Sequence, residues 1–327
     1  MADRFDVCAI GEMLIDFTEC GISDQGNPLW EANPGGAPCN VLAMLNKLGR
    51  RTAFIGKIGR DVYGDQLRKT ASDAGIDTTG LLSDESVHTT LAIVHRLENG
   101  DRDFSFYRNP GADMMLREDE LPVSIIESCR IFHFGTLSMT HEGVRRATEK
   151  AISIAKNAGA LISFDPNLRP PLWPSLELAK ECIAWGLGQC DILKIADNEL
   201  EFMTGETDFD RGAAALKSAF PNIKLLNVTA GAEGSYCYYD DLRVFVPAFT
   251  LGGTIETTGA GDTFGACVLN DVLDNGMANR SAASLENMLR FANAAAYIVT
   301  TRRGVIRSLP ELSEIESLLE QNSPNNG

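Results

Sequence analysis

The chain predicts an α/β fold built on a predominantly parallel central sheet with helices on both faces. Three observations lead there. From residue 120 onward, short apolar runs alternate with segments of helical period, the pattern of strands buried on both faces and joined by crossover helices. The polar residues that suggest chemistry stand just after those runs, where open parallel sheets place ligands. A length of 327 residues, 44% hydrophobic and 23% charged, suits one large soluble domain of this kind. We therefore read 1–327 as a single domain.

Residues 5–17 are mostly apolar and broken at Gly11-Glu12, which predicts a buried strand, a short break and a second strand. Residues 37–48 carry apolar side chains at helical spacing and stop at Gly49, a residue suited to a C-cap. A strand over 51–58 and a helix over 64–74 follow. Residues 89–96 and 103–108 flank Glu98-Asn99-Gly100-Asp101 and predict a hairpin. Strands are then expected over 129–134, 160–164, 192–195 and 224–229, and helices over 142–158, 176–188, 198–203 and 210–219. Residues 234–239 and 242–247 predict a second hairpin, and 263–275 and 281–300 long helices. The polar tail over 321–327 reads as disordered. The early short strands do not fit a helix-covered sheet. Segments within 12–33 and 88–110 are expected to form a small separate β-sheet, a lid over the strand ends that keeps water from a reaction there.

Lys+Arg number 29 against 45 Asp+Glu, a formal charge of −16. Nucleic acid and anionic membranes need a basic surface, so neither is an expected partner. The eight cysteines show no C-x-x-C spacing and no accompanying histidine cluster, which argues against zinc. Most sit in apolar surroundings and no signal peptide is read, so a reducing, cytoplasmic compartment is expected. No apolar run reaches the length of a membrane span.

The most informative stretch is Thr257-Thr258-Gly259-Ala260-Gly261-Asp262-Thr263-Phe264. A glycine-rich turn that opens a helix offers free N–H groups at the positive end of the helix dipole, which suits phosphate. Asp262 is out of place if the turn only holds phosphate. It makes sense as the base that takes a proton from a hydroxyl about to attack that phosphate. It would also serve as the N-cap of a helix starting at Thr263, and the two roles are compatible. Gly259, Ala260 and Gly261 are the candidate donors to the transferred group. No G-x-x-x-x-G-K-[ST] loop is present, nor the loops of a protein kinase.

Asn33-Pro34-Gly35-Gly36-Ala37-Pro38-Cys39-Asn40 resembles the first signature of the PfkB (ribokinase-like) carbohydrate kinases, and 257–264 resembles their second. Asn198-Glu199-Leu200-Glu201 is similar to their N-x-x-E motif, and Arg302-Arg303-Gly304 to their C-terminal turn. The matches stand in order over 5–310. Segments 11–17, 106–113 and 165–173 resemble the fructokinases of that family in particular.

The resemblance implies a ribokinase-like fold and ATP-dependent phosphorylation of a primary sugar hydroxyl, with D-fructose giving fructose 6-phosphate. Another sugar or sugar acid, such as ribose or 2-keto-3-deoxygluconate, is the alternative, followed by a non-catalytic sugar sensor. Asp16, at the end of an apolar run, would be satisfied by sugar hydroxyls. Gly35 and Gly36 would let backbone approach the sugar, and Asn40 would donate and accept hydrogen bonds there. Arg108 and Arg169 are candidates for sugar and phosphate contacts. Asn198 and Glu201, three apart on a helix, would organise Mg²⁺ through its waters near the nucleotide. Asn167, Thr229, Gly231, Gly234 and Asn293 are implied on the nucleotide side. A monovalent cation, K⁺, would sit among Glu256, Thr258, Val299, Gly304 and Ser308, largely on backbone carbonyls. The exposed edges of the lid strands imply a homodimer.

Overall fold

The computed structural model describes residues 5–96 and 102–322. The expected hairpin turn at 98–101 and the tail from 323 lie outside the described residues. The strands begin with Val7–Ile10 (β1), Leu14–Ile22 (β2), Pro28–Gly35 (β3), Thr52–Gly59 (β4), Leu81–Asp84 (β5), Leu91–Arg96 (β6) and Arg102–Tyr107 (β7). They continue with Ile131–Gly135 (β8), Leu161–Asp165 (β9), Ile192–Ala196 (β10), Leu225–Thr229 (β11), Gly234–Tyr239 (β12) and Leu242–Pro247 (β13). The helices are Ala37–Lys47 (α1), Val62–Asp73 (α2), Val123–Ser128 (α3), Glu142–Asn157 (α4) and Leu176–Leu187 (α5). Asp197–Thr204 (α6), Phe209–Ala219 (α7), Ala260–Asn275 (α8), Ala282–Thr300 (α9) and Leu312–Gln321 (α10) complete them.

Nine strands form the main sheet in the order β13-β12-β11-β10-β9-β8-β1-β4-β5. The ladder from β11 to β5 is parallel, and β12 and β13 close one edge antiparallel. Alternation along each strand splits the core into two layers. Val7 and Ala9 pack with α1, α8 and α9, whereas Cys8 and Ile10 pack with α4 and α5. In the second layer Phe134 stacks on Phe164 with ring centroids 4.5 Å apart.

The other four strands form the small sheet, in the order β3-β2-β6-β7. The chain passes from β1 into β2 across three residues, and β3 ends at Gly35, two residues before α1. Both connections that carry β2 and β3 therefore enter the body beside the carboxyl ends of the main strands.

Several features differ from the sequence reading; β5 and α3 stand in stretches where no element was expected. The long helix α8 starts at Ala260, with Gly259 as N-cap in the left-handed conformation (φ +79°), so Asp262 lies inside its first turn and is not the cap. A helix occupies 312–321 and takes in Gln321. Its signal is short, with Ile315 fully buried and the rest of one face only partly covered. Strand β3 begins within the 12–33 segment expected to feed the small sheet but runs on to Gly35, past the expected limit; its exposed first residues and its two prolines leave no alternation of apolar side chains to mark its end.

Candidate active site

Two cavities meet at the start of α8. The first, about 740 Å³, opens under the small sheet and is lined by Glu12, Asp16, Gly36, Asn40, Arg169 and Asp262, with Asn167 and Asn198 at its margin. The second, about 590 Å³, is mainly apolar and runs between the β11–β12 turn and α9. Thr229, Gly231, Gly234, Phe249, Asn293 and Tyr297 line it. Lys194, Thr254, Thr257 and Gly261 line both. The junction is thus the turn that opens α8.

That turn is built for an anion. The left-handed Gly259 ends one chain direction and starts another, and the N–H groups of Gly261 and Asp262 belong to a first helical turn with no carbonyl four residues back inside the helix. The Ala260 N–H is drawn aside to the Thr257 carbonyl at 3.3 Å. Asp262 Oδ2 accepts a hydrogen bond from Asn40 Nδ2 at 2.8 Å, which fixes the carboxylate. Burial pushes the Asp262 carboxyl up to about 6, against the pull of Asn40 and the nearby cations Lys194 and Arg169. A carboxylate so placed can take a proton from a hydroxyl near neutral pH while the adjacent N–H groups hold a phosphoryl group.

Across the first cavity, Asp16 on β2 is raised to about 7 by burial and by the negative charges of Glu256 and Asp262, with Arg169 opposing. The backbone of Gly35 lies against it: a Cβ there would fall 2.8 Å from Asp16 Oδ2. Gly36 has φ +127°, and its absent Cβ would sit 2.3 Å from the Glu12 carbonyl oxygen. Glu12 Oε1 accepts the Ala37 N–H at 2.9 Å, capping α1 from a distance, and burial lifts its carboxyl to about 7. The N-P-G-G-A stretch is therefore a backbone wall pinned from behind by Glu12.

The pattern of the pfkB family of carbohydrate kinases matches residues 4–312. The chain belongs to that family. It is 43% identical over 316 residues to probable fructokinase-2 of Arabidopsis thaliana, covering 96% of this chain and 95% of that protein. The kinase superposes on fructokinase with bound ATP from Xylella fastidiosa with TM-score 0.87 and 30% identity, over 97% of this chain and 99% of that one. It superposes on a double mutant of fructokinase from Vibrio cholerae O395, in fructose, ADP and potassium ion bound form, with TM-score 0.85 and 27% identity, over 98% and 100% of the two chains.

The kinase brings most of the residues expected from sequence to the two cavities, and several arrive in other circumstances. Asn40 spends its amide on Asp262, and its Oδ1 is buried without a partner. Asn293 lines the apolar cavity, but its side chain ties Ser235 to the Val246 and Pro247 carbonyls. Glu201 is exposed and lines neither cavity. The buried carboxylate of that helix is Glu199, which accepts N–H bonds from Leu168 at 2.7 Å and Ala196 at 2.9 Å. Glu199 and Glu201 are two residues apart and so point to opposite sides of α6; Glu199 is the one turned inward, because it is the N3 carboxylate that takes the Ala196 and Leu168 N–H groups, a pairing with residue 168 that no local spacing reveals.

Arg108 is also placed differently. Its guanidinium is buried and fully engaged, donating to Asp113, to Thr140 Oγ1 and to the Leu137 carbonyl, so it braces the segment after β7 and does not line the first cavity. Removing one partner of a buried pair leaves an uncompensated charge. Arg108→Met should lower stability by about 3–5 kcal/mol in urea unfolding, while folded enzyme at low temperature keeps its KM for sugar. A large KM rise without loss of stability would return Arg108 to the binding site.

Of the residues expected around K⁺, Glu256 and Thr258 share one loop that is held to the end of α9, and Glu256 lines a small cavity with Gly304. The Ile255 and Glu256 N–H groups bond the Thr300 carbonyl, and Thr258 Oγ1 donates to Glu256 at 2.8 Å. Val299 is fully buried, Gly304 is left-handed (φ +74°), and the Ser308 hydroxyl donates to the Arg303 carbonyl.

Proposed function

We propose that the chain is an ATP-dependent fructokinase that converts D-fructose to fructose 6-phosphate. The observation that carries this reading is the meeting of a polar cavity and an apolar cavity at a helix-opening turn that holds a buried carboxylate. The sugar fills the polar cavity, where Asp16, the Gly35–Gly36 backbone and Arg169 face its hydroxyls. The nucleotide base fills the apolar cavity, and its phosphates reach the first turn of α8. Asp262 accepts the proton of the primary hydroxyl. The hydroxyl oxygen bonds to the γ-phosphorus as the bond to the β–γ bridging oxygen breaks, and ADP leaves.

The donor set fits Mg²⁺ carried by the nucleotide. That ion keeps several waters and needs few protein oxygens. Asp165, Asn198 and Glu199 lie beside the junction for those waters, and the ion would neutralise charge on the phosphates. The loop of Glu256 and Thr258, held to the Thr300 carbonyl and sharing a small cavity with Gly304, offers carbonyls for K⁺.

Fructose is favoured over a sugar acid by charge. Glu12, Asp16, Glu256 and Asp262 line the polar cavity, a poor setting for a further carboxylate. The test is a coupled ATP assay across fructose, ribose, adenosine and 2-keto-3-deoxygluconate, with fructose expected to give the highest kcat/KM. A higher value for another acceptor overturns the sugar. Calorimetric sugar binding without turnover points to a sensor.

Two further features belong to this reading. Ile22, Leu29, Trp30 and Tyr107 leave apolar surface exposed on the small sheet, which supports a homodimer through it. A monomer sedimenting at micromolar concentration overturns that. All eight cysteines are free, which suits the cytoplasm, and among the described residues no helix is long and apolar enough to cross a membrane.

A further inference from the structure

Lys194 stands where a lysine is costly. It lies on β10, with a side chain only 12% exposed. Register puts it beside Asp165 on β9, because Leu193 pairs with Phe164 in the parallel ladder. Both Asp165 oxygens approach its ammonium, at 3.3 and 3.1 Å. An ammonium has three donors, so this grip from one side leaves capacity on the other. That other side is the junction. Lys194 lines both cavities, and its Nζ lies 3.0 Å from where a Cβ at Gly261 would project. A Cβ at that position would press on the ammonium and displace it.

The electrostatic setting gives the ammonium a task. Glu12, Asp16, Glu256 and Asp262 line the polar cavity, with Asp165 and Glu199 close behind. A nucleotide triphosphate brought to this place meets carboxylates of its own sign. Arg169, on the sugar side, and Lys194 are the cations that line these cavities among the described residues. Only Lys194 also faces the nucleotide side.

We propose that Lys194 is a catalytic residue, clamped by Asp165, whose ammonium donates to the phosphate chain at the point of transfer. The assignment rests on the kinase reading above. Lys194 keeps its proton throughout: the hydroxyl proton goes to Asp262, the new O–P bond forms, and the electron pair of the broken bond stays on the departing ADP. The lysine screens the charge that gathers on the moving phosphoryl group, and Asp165 keeps the long side chain from swinging toward Asp262. The same positive charge helps to hold Asp262 deprotonated.

The test uses the full-length enzyme and the variants Lys194→Met, Lys194→Arg and Asp165→Asn. Lys194→Met should bind the β,γ-methylene analogue of ATP about tenfold more weakly while its affinity for AMP is unchanged. Its kcat should fall about 10²-fold, with fructose binding by calorimetry preserved. The acid limb of its pH profile should move to higher pH, since a cation beside Asp262 is lost. Lys194→Arg should recover part of both losses, and Asp165→Asn should weaken analogue binding without touching AMP. Equal weakening of AMP and analogue, or a kcat within threefold of wild type, overturns the proposal in favour of a purely structural pair. If Lys194→Met does not fold, Lys194→Met with Asp165→Asn removes the orphaned carboxylate, and wild-type analogue affinity in that double variant overturns it equally. Absence of sugar turnover in the wild-type enzyme would fail the kinase reading alone, because the AMP-against-analogue comparison needs no turnover.

Discussion

Replacing Asp262 with Asn is expected to reduce kcat by about 10³-fold while leaving sugar affinity nearly intact, because a positioned general base contributes at that scale. The amide has the same shape and can still accept the Asn40 Nδ2 hydrogen bond through its oxygen, so the turn and the cavity wall stay in place. What is lost is the capacity to take a proton. The wild-type enzyme carries a further signature of that role. Burial raises the Asp262 carboxyl to about 6, and the base works only when deprotonated. Activity should therefore fall as pH drops through about 6. The residual activity of the Asn variant should lack that limb. Steady-state kinetics between pH 5 and pH 8 check both points. A variant that keeps more than a tenth of wild-type kcat, or the same acid limb, would remove Asp262 from the role of base.

Gly259→Ala is expected to cost about 10²-fold in kcat, the scale of losing a preorganised donor to a developing anion. Glycine is required there on two counts. The residue sits at φ +79°, and a Cβ would come 2.3 Å from Val305 Cγ1. Val305 is buried in the core cluster with α8 and α9, so it cannot simply withdraw. The helix start must shift, taking the N–H groups of Gly261 and Asp262 out of register with the phosphoryl group. Thermal unfolding should show a modest loss, and fructose binding without nucleotide should change less than kcat. Val305→Ala in the same chain relieves the clash and should return part of the rate. No rate change in Gly259→Ala would mean that the turn's geometry does not matter to transfer.

The parallel sheet and its helices are legible because strands buried on both faces and amphipathic helices leave strong periodic signals. The turn at Gly259–Asp262 and the wall at Gly35–Gly36 are legible because glycine and a carboxylate combine there in a way that packing alone does not ask for. Residues whose role depends on a partner distant in sequence are not legible. Lys194 and Asp165 look ordinary until the register of β9 and β10 sets them side by side. Glu12 reads as a break between strands, yet it pins the start of α1 across 25 positions. Arg108 carries the right chemistry for a ligand contact and spends it on Asp113 and Thr140, which no spacing reveals. In α6, Glu199 and Glu201 point to opposite sides, and only the packing of the helix against the Leu168 segment decides which of them is buried.

The small sheet hangs from the body by strands that also wall the first cavity, since Asp16 lies within β2 and Gly35, at the end of β3, lies against it. If the small sheet covers the proposed sugar site, cover and recognition surface are one inherited piece. A substitution that reshapes the pocket for a new acceptor also alters how tightly the cover seats, and so how readily solvent competes for the phosphoryl group. Acceptor preference and resistance to idle nucleotide hydrolysis must then diverge together among related kinases, and a library that varies only β2 and β3 would sample both traits at once.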